Sequence, residues 1–170
     1  MGILEDLRLR VRGIETGMRS GEIVRDVIVR HPDDILEYQR RQLFEGKASS
    51  GEDIRPYYSE DLKPSGYFYS VESAGRYAAW KQSGINYPYS ATRNPDAPNL
   101  YINGRFHDEI GVRFGTNDVG IVPTTPYAAG IMAKYGMNTF GLMKSYWLAI
   151  FTERNAYNEL MLIIKTRLYV

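Results

Sequence analysis

Between residues 110 and 136 the hydrophobic pattern changes from strand spacing to helix spacing across a pair of prolines, and this constrains the fold more than any other feature of the chain. Ile110–Phe114 and residues 119–122 are short runs of β-favouring side chains. Gly115, Thr116, Asn117 and Asp118 lie between them, residues that accept positive φ or bond their own backbone, so a β-hairpin is expected. Gly120 leaves the exact extent of the second strand open. Pro123 cannot donate to a ladder and should stop the strand, while Thr124 or Thr125 can cap a helix that has Pro126 at its first position. Tyr127, Ala128, Ile131, Met132 and Tyr135 then recur at helical spacing, with Gly136 as a left-handed stop. Because Pro126 fixes the direction of entry, Tyr127 is expected to lie buried against the hairpin.

The N-terminal part reads as helical. Leu4, Leu7, Val11, Ile14 and Met18 alternate at steps of three and four, and Arg8, Arg10, Arg12 and Glu15 take the other side. Such an apolar stripe is expected to pack on the chain's own core, with docking against a neighbouring subunit as the sharper alternative. Gly13, Gly17 and Gly21 weaken any continuation, and residues 23–29 fit either a helical turn or a strand. A second helix should begin at His31-Pro32-Asp33-Asp34, where acidic residues suit the positive end of the helix dipole. Its face is Ile35, Leu36, Gln39, Leu43 and Phe44, and Gly46 ends it.

Residues 47–66 are polar and broken by Ser49, Ser50, Gly51, Pro56, Pro64 and Gly66, and residues 85–99 contain Pro88, Pro95 and Pro98. Both read as long surface loops that order on assembly. Tyr57, Tyr58, Tyr87 and Tyr89 within them are candidate contact residues, since tyrosine joins a large apolar ring to a hydroxyl at low entropic cost. Residues 67–77 should start as a strand and turn helical toward Trp80. Residues 145–168 should be mostly helix, broken near 152–155, with a strand as the alternative for the last eleven residues.

A chain of 170 residues, 44% of them hydrophobic, suits one core and hence a single domain over 1–170. Within it a helical part spans about 1–46, a loop-rich insertion about 47–99 and a hairpin-helix core about 100–170. Lys and Arg number 21 against 20 Asp and Glu, so a general electrostatic grip on nucleic acid or an anionic membrane is not expected. The absence of cysteine excludes disulfides, thiolate metal sites and cysteine nucleophiles. Residues 1–18 lack the apolar core of a signal peptide, and no run approaches the roughly 20 apolar residues that span a bilayer. A soluble protein, or one built into a soluble assembly, is expected.

Little in the sequence carries chemistry. His107-Asp108-Glu109 is the one place where a histidine adjoins carboxylates, but consecutive residues point apart, so His107 reads as a satisfied surface histidine and His31 as a helix-start residue. Nucleophile elbow, P-loop, dinucleotide fingerprint and zinc-protease helix are all missing. No catalytic, metal or cofactor-binding residue is assigned. Arg8, Arg10, Arg12, Arg40 and Arg41 read as solvated helix faces, with local DNA contact as the alternative.

The order from Leu100 to Gly136, an apolar-x-x-Gly-x-Phe start, strand, turn, strand, Thr-Pro-Tyr-Ala, helix and Tyr-Gly, resembles the head-to-tail connector and tail-completion (neck) proteins of tailed bacteriophages, including the virion-morphogenesis proteins grouped with them. Gly104, Phe106, Ile110, Tyr127, Ala128 and Gly136 carry the likeness. The chain differs from that pattern at Lys134-Tyr135-Gly136 and in its Tyr-rich insertion upstream. The resemblance implies a structural, non-enzymatic virion protein, assembled in the cytoplasm of a bacterial host. It would form a ring with copies of itself, touch connector, portal-adaptor or tail-tube neighbours, contact passing DNA non-specifically, and require neither cofactor nor membrane. Another tail or baseplate subunit is the alternative, then a small hydrolase or nucleic-acid-binding accessory protein. The fold class expected is α+β: a small antiparallel sheet with a central hairpin packed against two or three helices, with long aromatic-rich loops.

Overall fold

A computed structural model describes residues 2–60, 70–83, 94–101, 104–116, 118–126 and 128–169. Tyr127, Tyr87 and Tyr89 lie outside the described residues, so their expected roles are not addressed by it.

Helix α1 (Ile3–Arg19) runs through Gly13 and Gly17 without a break, and Gly21 at φ 79° turns the chain into α2 (Glu22–Ile28). The open choice at residues 23–29 is therefore a helix. Helix α3 (Pro32–Phe44) starts at Pro32 and is followed by Gly46 at φ 69°, as its acidic first turn and glycine stop predict. Helix α4 (Val71–Gln82) opens on a reciprocal cap, the Ser73 amide donating to the Ser70 hydroxyl and the Ser70 amide to the Ser73 hydroxyl. A four-residue helix α5 (Arg105–Asp108) leads into β1 (Ile110–Phe114) and β2 (Val119–Pro123), which pair antiparallel with Val112 opposite Ile121. Pro123 is the last paired residue, tolerated because the two-stranded sheet leaves its nitrogen on an edge.

Helix α6 (Ala128–Tyr135) follows, then a 3-10 turn (Met137–Thr139), α7 (Lys144–Glu153) and α8 (Ala156–Tyr169). The expected interruption near 152–155 is real: Asn155 sits at φ 66° between α7 and α8, and helix continues to Tyr169 where a strand was the alternative. The fold class is α+β as expected, although the described residues hold eight α-helices rather than two or three around the hairpin.

The core joins the N- and C-terminal parts: Val27, Ile28, Ile35, Tyr38 and Leu43 meet Phe106, Ile110, Ile121, Leu142, Ile150 and Ala156. Two glutamines of α3 with no exposed surface fasten the α6–α7 connection to it. Gln39 donates to the Thr139 carbonyl (3.3 Å) and accepts from the Gly141 amide (3.1 Å), while Gln42 donates to the Gly141 carbonyl and accepts from the Met143 amide (both 2.8 Å). Each side-chain amide thus acts as a strand-like partner for an irregular backbone that would otherwise be buried unsatisfied.

Several expectations are corrected. Among the described residues neither threonine side chain caps α6: Thr124 donates its amide and hydroxyl to the Glu109 carbonyl, extending the hairpin, and the buried Thr125 hydroxyl has no partner. Gly136 has the expected positive φ of 84°, but its ψ of 161° is extended, so it redirects the chain into the 3-10 turn rather than closing a left-handed cap. The described parts of the two loops are not wholly at the surface. Ile54 and Tyr58 are buried, as are Ala97, Pro98 and Asn99, because the polar side chains around them bond to one another and let these residues turn inward. Asp53 alone receives hydrogen bonds from Lys47 (2.6 Å), Tyr57 (3.0 Å) and Asn94 (2.7 Å), which tie one loop to the other.

Candidate functional site

Two features stand apart from an ordinary core, one buried and polar, the other exposed and apolar.

The buried one gathers around Asn99. The last turn of α4 supplies Lys81, the 47–60 loop supplies Tyr58, α5 supplies His107, and Phe44 at the end of α3 closes one wall. Lys81 is 1% exposed, Asn99 is 0% and His107 is 2%. The Asn99 side-chain carbonyl accepts from Lys81 Nζ (2.8 Å), the Tyr101 amide (3.2 Å) and the Tyr58 hydroxyl (3.3 Å). The Tyr58 oxygen in turn accepts from the Asn99 amide (3.2 Å). Lys81 also donates to the Tyr101 carbonyl and stands 5.5–5.9 Å from the ring centres of Trp80, Tyr58 and Tyr77.

His107 is a correction to the reading of a surface histidine. Its Nε2 bonds the Asn99 carbonyl at 2.9 Å, so the proton sits there and the buried Nδ1 is bare, with no partner among the described residues. Burial pushes its pKa down to about 4, aided by the positive charges of Lys81 and Arg40 and opposed by the Asn99 bond. The turn of α5 carried no hydrophobic periodicity that could have announced this burial, which follows from packing against Phe44, Phe106 and Tyr101. Asp108 and Glu109 do not join it; Glu109 instead takes Arg105 at 2.6 Å. Among the described residues no group of His, Asp and Glu is placed to hold a metal ion. His31 stands at the start of α3 as expected, its ring bonded to the Asp34 carboxylate at 2.8 Å and not to a backbone amide of the first turn.

The residues carrying the sequence resemblance are mostly interior. Phe106, Ile110 and Ala128 are buried, and Gly104, at φ 87°, starts α5 so close to Tyr101 that a Cβ would lie 3.2 Å from its ring. Tyr58 is likewise a core residue, whereas Tyr57 is half-buried under the Arg55 guanidinium at 4.0 Å. Gly136 has open space around its α-carbon. The buried ones among these positions shape the subunit.

The exposed feature is α1 together with the C-terminal helices. The apolar stripe of α1 does not enter the core: Ile3 is 89% exposed, Leu4 76% and Leu7 44%, and Val11 and Met18 are also exposed. Gly17 is the buried residue of this helix, set against Ile23 of α2. On α8, which touches α1, Leu162 is 63% and Tyr169 81% exposed, and Leu148 of α7 is exposed as well. Arg10 pairs with Asp6 (2.8 Å), Arg40 donates to the His107 carbonyl (2.9 Å) and Arg41 lies 3.5 Å from Glu45, so these arginines are engaged within the subunit. No described helix is long and apolar enough to cross a membrane. Comparison with protein-family models, curated proteins and solved structures finds no match to this chain.

Proposed function

We propose that this protein is a structural subunit of a tailed-phage virion, acting at the neck or tail end as a ring of identical copies that joins head to tail or terminates the tail tube. The observation that carries this reading is the apolar stripe of α1, left in solvent at Ile3, Leu4, Leu7, Val11 and Met18 and half-buried at Ile14. Apolar surface of this kind is stabilised by a protein partner at about 25 cal/mol per Å² buried. The exposed apolar side chains of α7 and α8 add to that surface, and a ring of identical copies needs a heterologous contact that closes. The order of hairpin, helix and glycine turn from 104 to 136 supports the choice of family. In that assembly the neighbours along the axis are connector, portal-adaptor or tail-tube proteins. Of the five arginines singled out in the sequence, Arg8 and Arg12 have no ion-pair partner among the described residues and are offered for non-specific contact with DNA.

Native mass spectrometry and electron microscopy of the full chain over a range of concentrations test the reading. A closed ring is expected, and Leu7→Asp combined with Val11→Asp should leave a folded monomer with an unchanged circular-dichroism spectrum. A protein that stays monomeric at every concentration, or rings that survive the double substitution, would overturn it.

A further inference from the structure

The apolar stripe of α1 has a repeat of its own. Leu4, Leu7, Val11, Ile14 and Met18 follow one another at steps of three, four, three and four, the a and d positions of a heptad. Arg8 and Glu15 then occupy the e column beside the stripe, and Ile3, Arg10 and Gly17 the g column on its other side. A stripe with this spacing is complementary to a second helix that carries the same spacing, and in the single subunit it is left exposed at Leu7, Val11 and Met18 and half-buried at Ile14.

The flanking columns choose the direction of such a helix. The g column is engaged within the subunit, since Arg10 bonds Asp6 at 2.8 Å and Gly17 is buried against Ile23 of α2. A parallel partner sets g against e and would meet that column. An antiparallel partner sets e against e, and the e column is free: Arg8 and Glu15 are both exposed and have no ion-pair partner among the described residues. Because each α1 is held at Gly17, on the g side near its C-terminal end, an antiparallel pair places the two subunit bodies at opposite ends and leaves the stripe clear.

Charge also chooses the register. With Leu7 level with the second copy's Met18, and Val11 level with its Ile14, four apolar layers form about a two-fold axis. Arg8 then falls beside the second copy's Glu15, and Glu15 beside its Arg8, so opposite charges meet twice. A slide of one heptad in one direction sets Arg8 against Arg8, and in the other direction Glu15 against Glu15, both of which repel.

We propose that unassembled copies pair through α1, two antiparallel helices covering each other's apolar stripe about a two-fold axis. The pairing rests on the reading of α1 as a contact surface. A two-fold contact closes a dimer and not a ring, so the pair is the form held before assembly, and it opens when the stripe takes its place in the ring. Two helices about 25 Å long make a small contact beside the roughly 1,600 Å² of a standard interface, which leaves the pair able to open.

Sedimentation velocity of the full chain, below the concentration at which larger species form, tests it. A monomer–dimer equilibrium is expected. Arg8→Glu should weaken the dimer by about tenfold or more at low salt, because both attractive pairs become repulsive. Adding Glu15→Arg to that variant should bring the dimer back to within about threefold of the wild-type affinity, since the exchanged charges attract again. A parallel pair would be weakened further by the second change, with Arg10 then facing arginine. Dimers indifferent to Arg8→Glu, dimers not restored in the double variant, or a chain that passes from monomer to ring with no dimer between would each overturn the pairing, whatever becomes of the ring. Dimers that follow the charge exchange but never close into a ring would support the pairing and overturn the ring.

Discussion

Helices α1 and α3 have the same kind of sequence and opposite surroundings. Both carry an apolar face at helical spacing, and both have acidic residues in the first turn and arginine in the last. In α3 that face vanishes into the core, with Ile35, Tyr38, Gln39, Gln42, Leu43 and Phe44 all buried. In α1 it meets solvent, and the helix is held through Gly17 near its C-terminal end. Periodicity specifies that a face exists and which residues form it; what covers the face is a property of the rest of the molecule, or of another molecule.

The difference can be broken most directly by truncating both faces. Leu43→Ala should destabilise the free subunit by about 2–5 kcal/mol, the range for a buried leucine, while Leu4→Ala should change it by no more than about 0.5 kcal/mol. Denaturant melts of the dispersed subunit measure both, and equal effects would mean that α1 is packed on its own chain in solution.

The interior around α5 should also show itself by pH. His107 binds a proton near 6.5 in the unfolded chain and only at about 4 in the folded one. The unfolded state therefore holds more protons between those values, and stability falls as pH drops from 6.5 toward 4, by about 3 kcal/mol in all. Urea midpoints across that window should slope accordingly, and His107→Gln should flatten the slope. An equal slope in the variant would assign it to other groups.

Gln42→Leu keeps the volume and removes both hydrogen bonds to the α6–α7 connection. With the Gly141 carbonyl and Met143 amide left unpaired, a loss of about 2–4 kcal/mol is expected. Calorimetry of the variant checks this, and a neutral result would mean that water replaces the glutamine.

The smallest effects lie within α1 itself. A Cβ at Gly17 would stand 2.8 Å from Ile23 Cγ1, whereas nothing lies within 4 Å of one at Gly13. Gly17→Ala should then cost about 1–3 kcal/mol through overpacking, and Gly13→Ala should stabilise by up to about 1 kcal/mol through helix propensity. Opposite shifts in melting temperature, four residues apart on one helix, would sharpen the contrast between its held end and its free one.

Local rules were sufficient for much of the fold. The hairpin turn, the proline start and glycine stop of α3, and the break at Asn155 each depend on a few neighbouring residues whose backbone preferences act over one turn, so they are legible in the chain as written. Spacing also gave the stripe on α1 and the face on α3. The Asn99 cluster was not legible, because it unites residues 58, 81, 99, 101 and 107 that share no period and meet through tertiary packing. His107 beside two acidic residues reads as a surface side chain and nothing in the local pattern marks Lys81, because burial depends on what arrives from elsewhere. The sequence by itself determined where the chain turns and which faces are apolar, since those follow from dihedral preference and periodicity. Only the tertiary structure decided that the α3 face is covered, that the α1 face is not, and that an amine and an amide eighteen residues apart are closed together out of water, because desolvation and contact are set by neighbours distant along the chain.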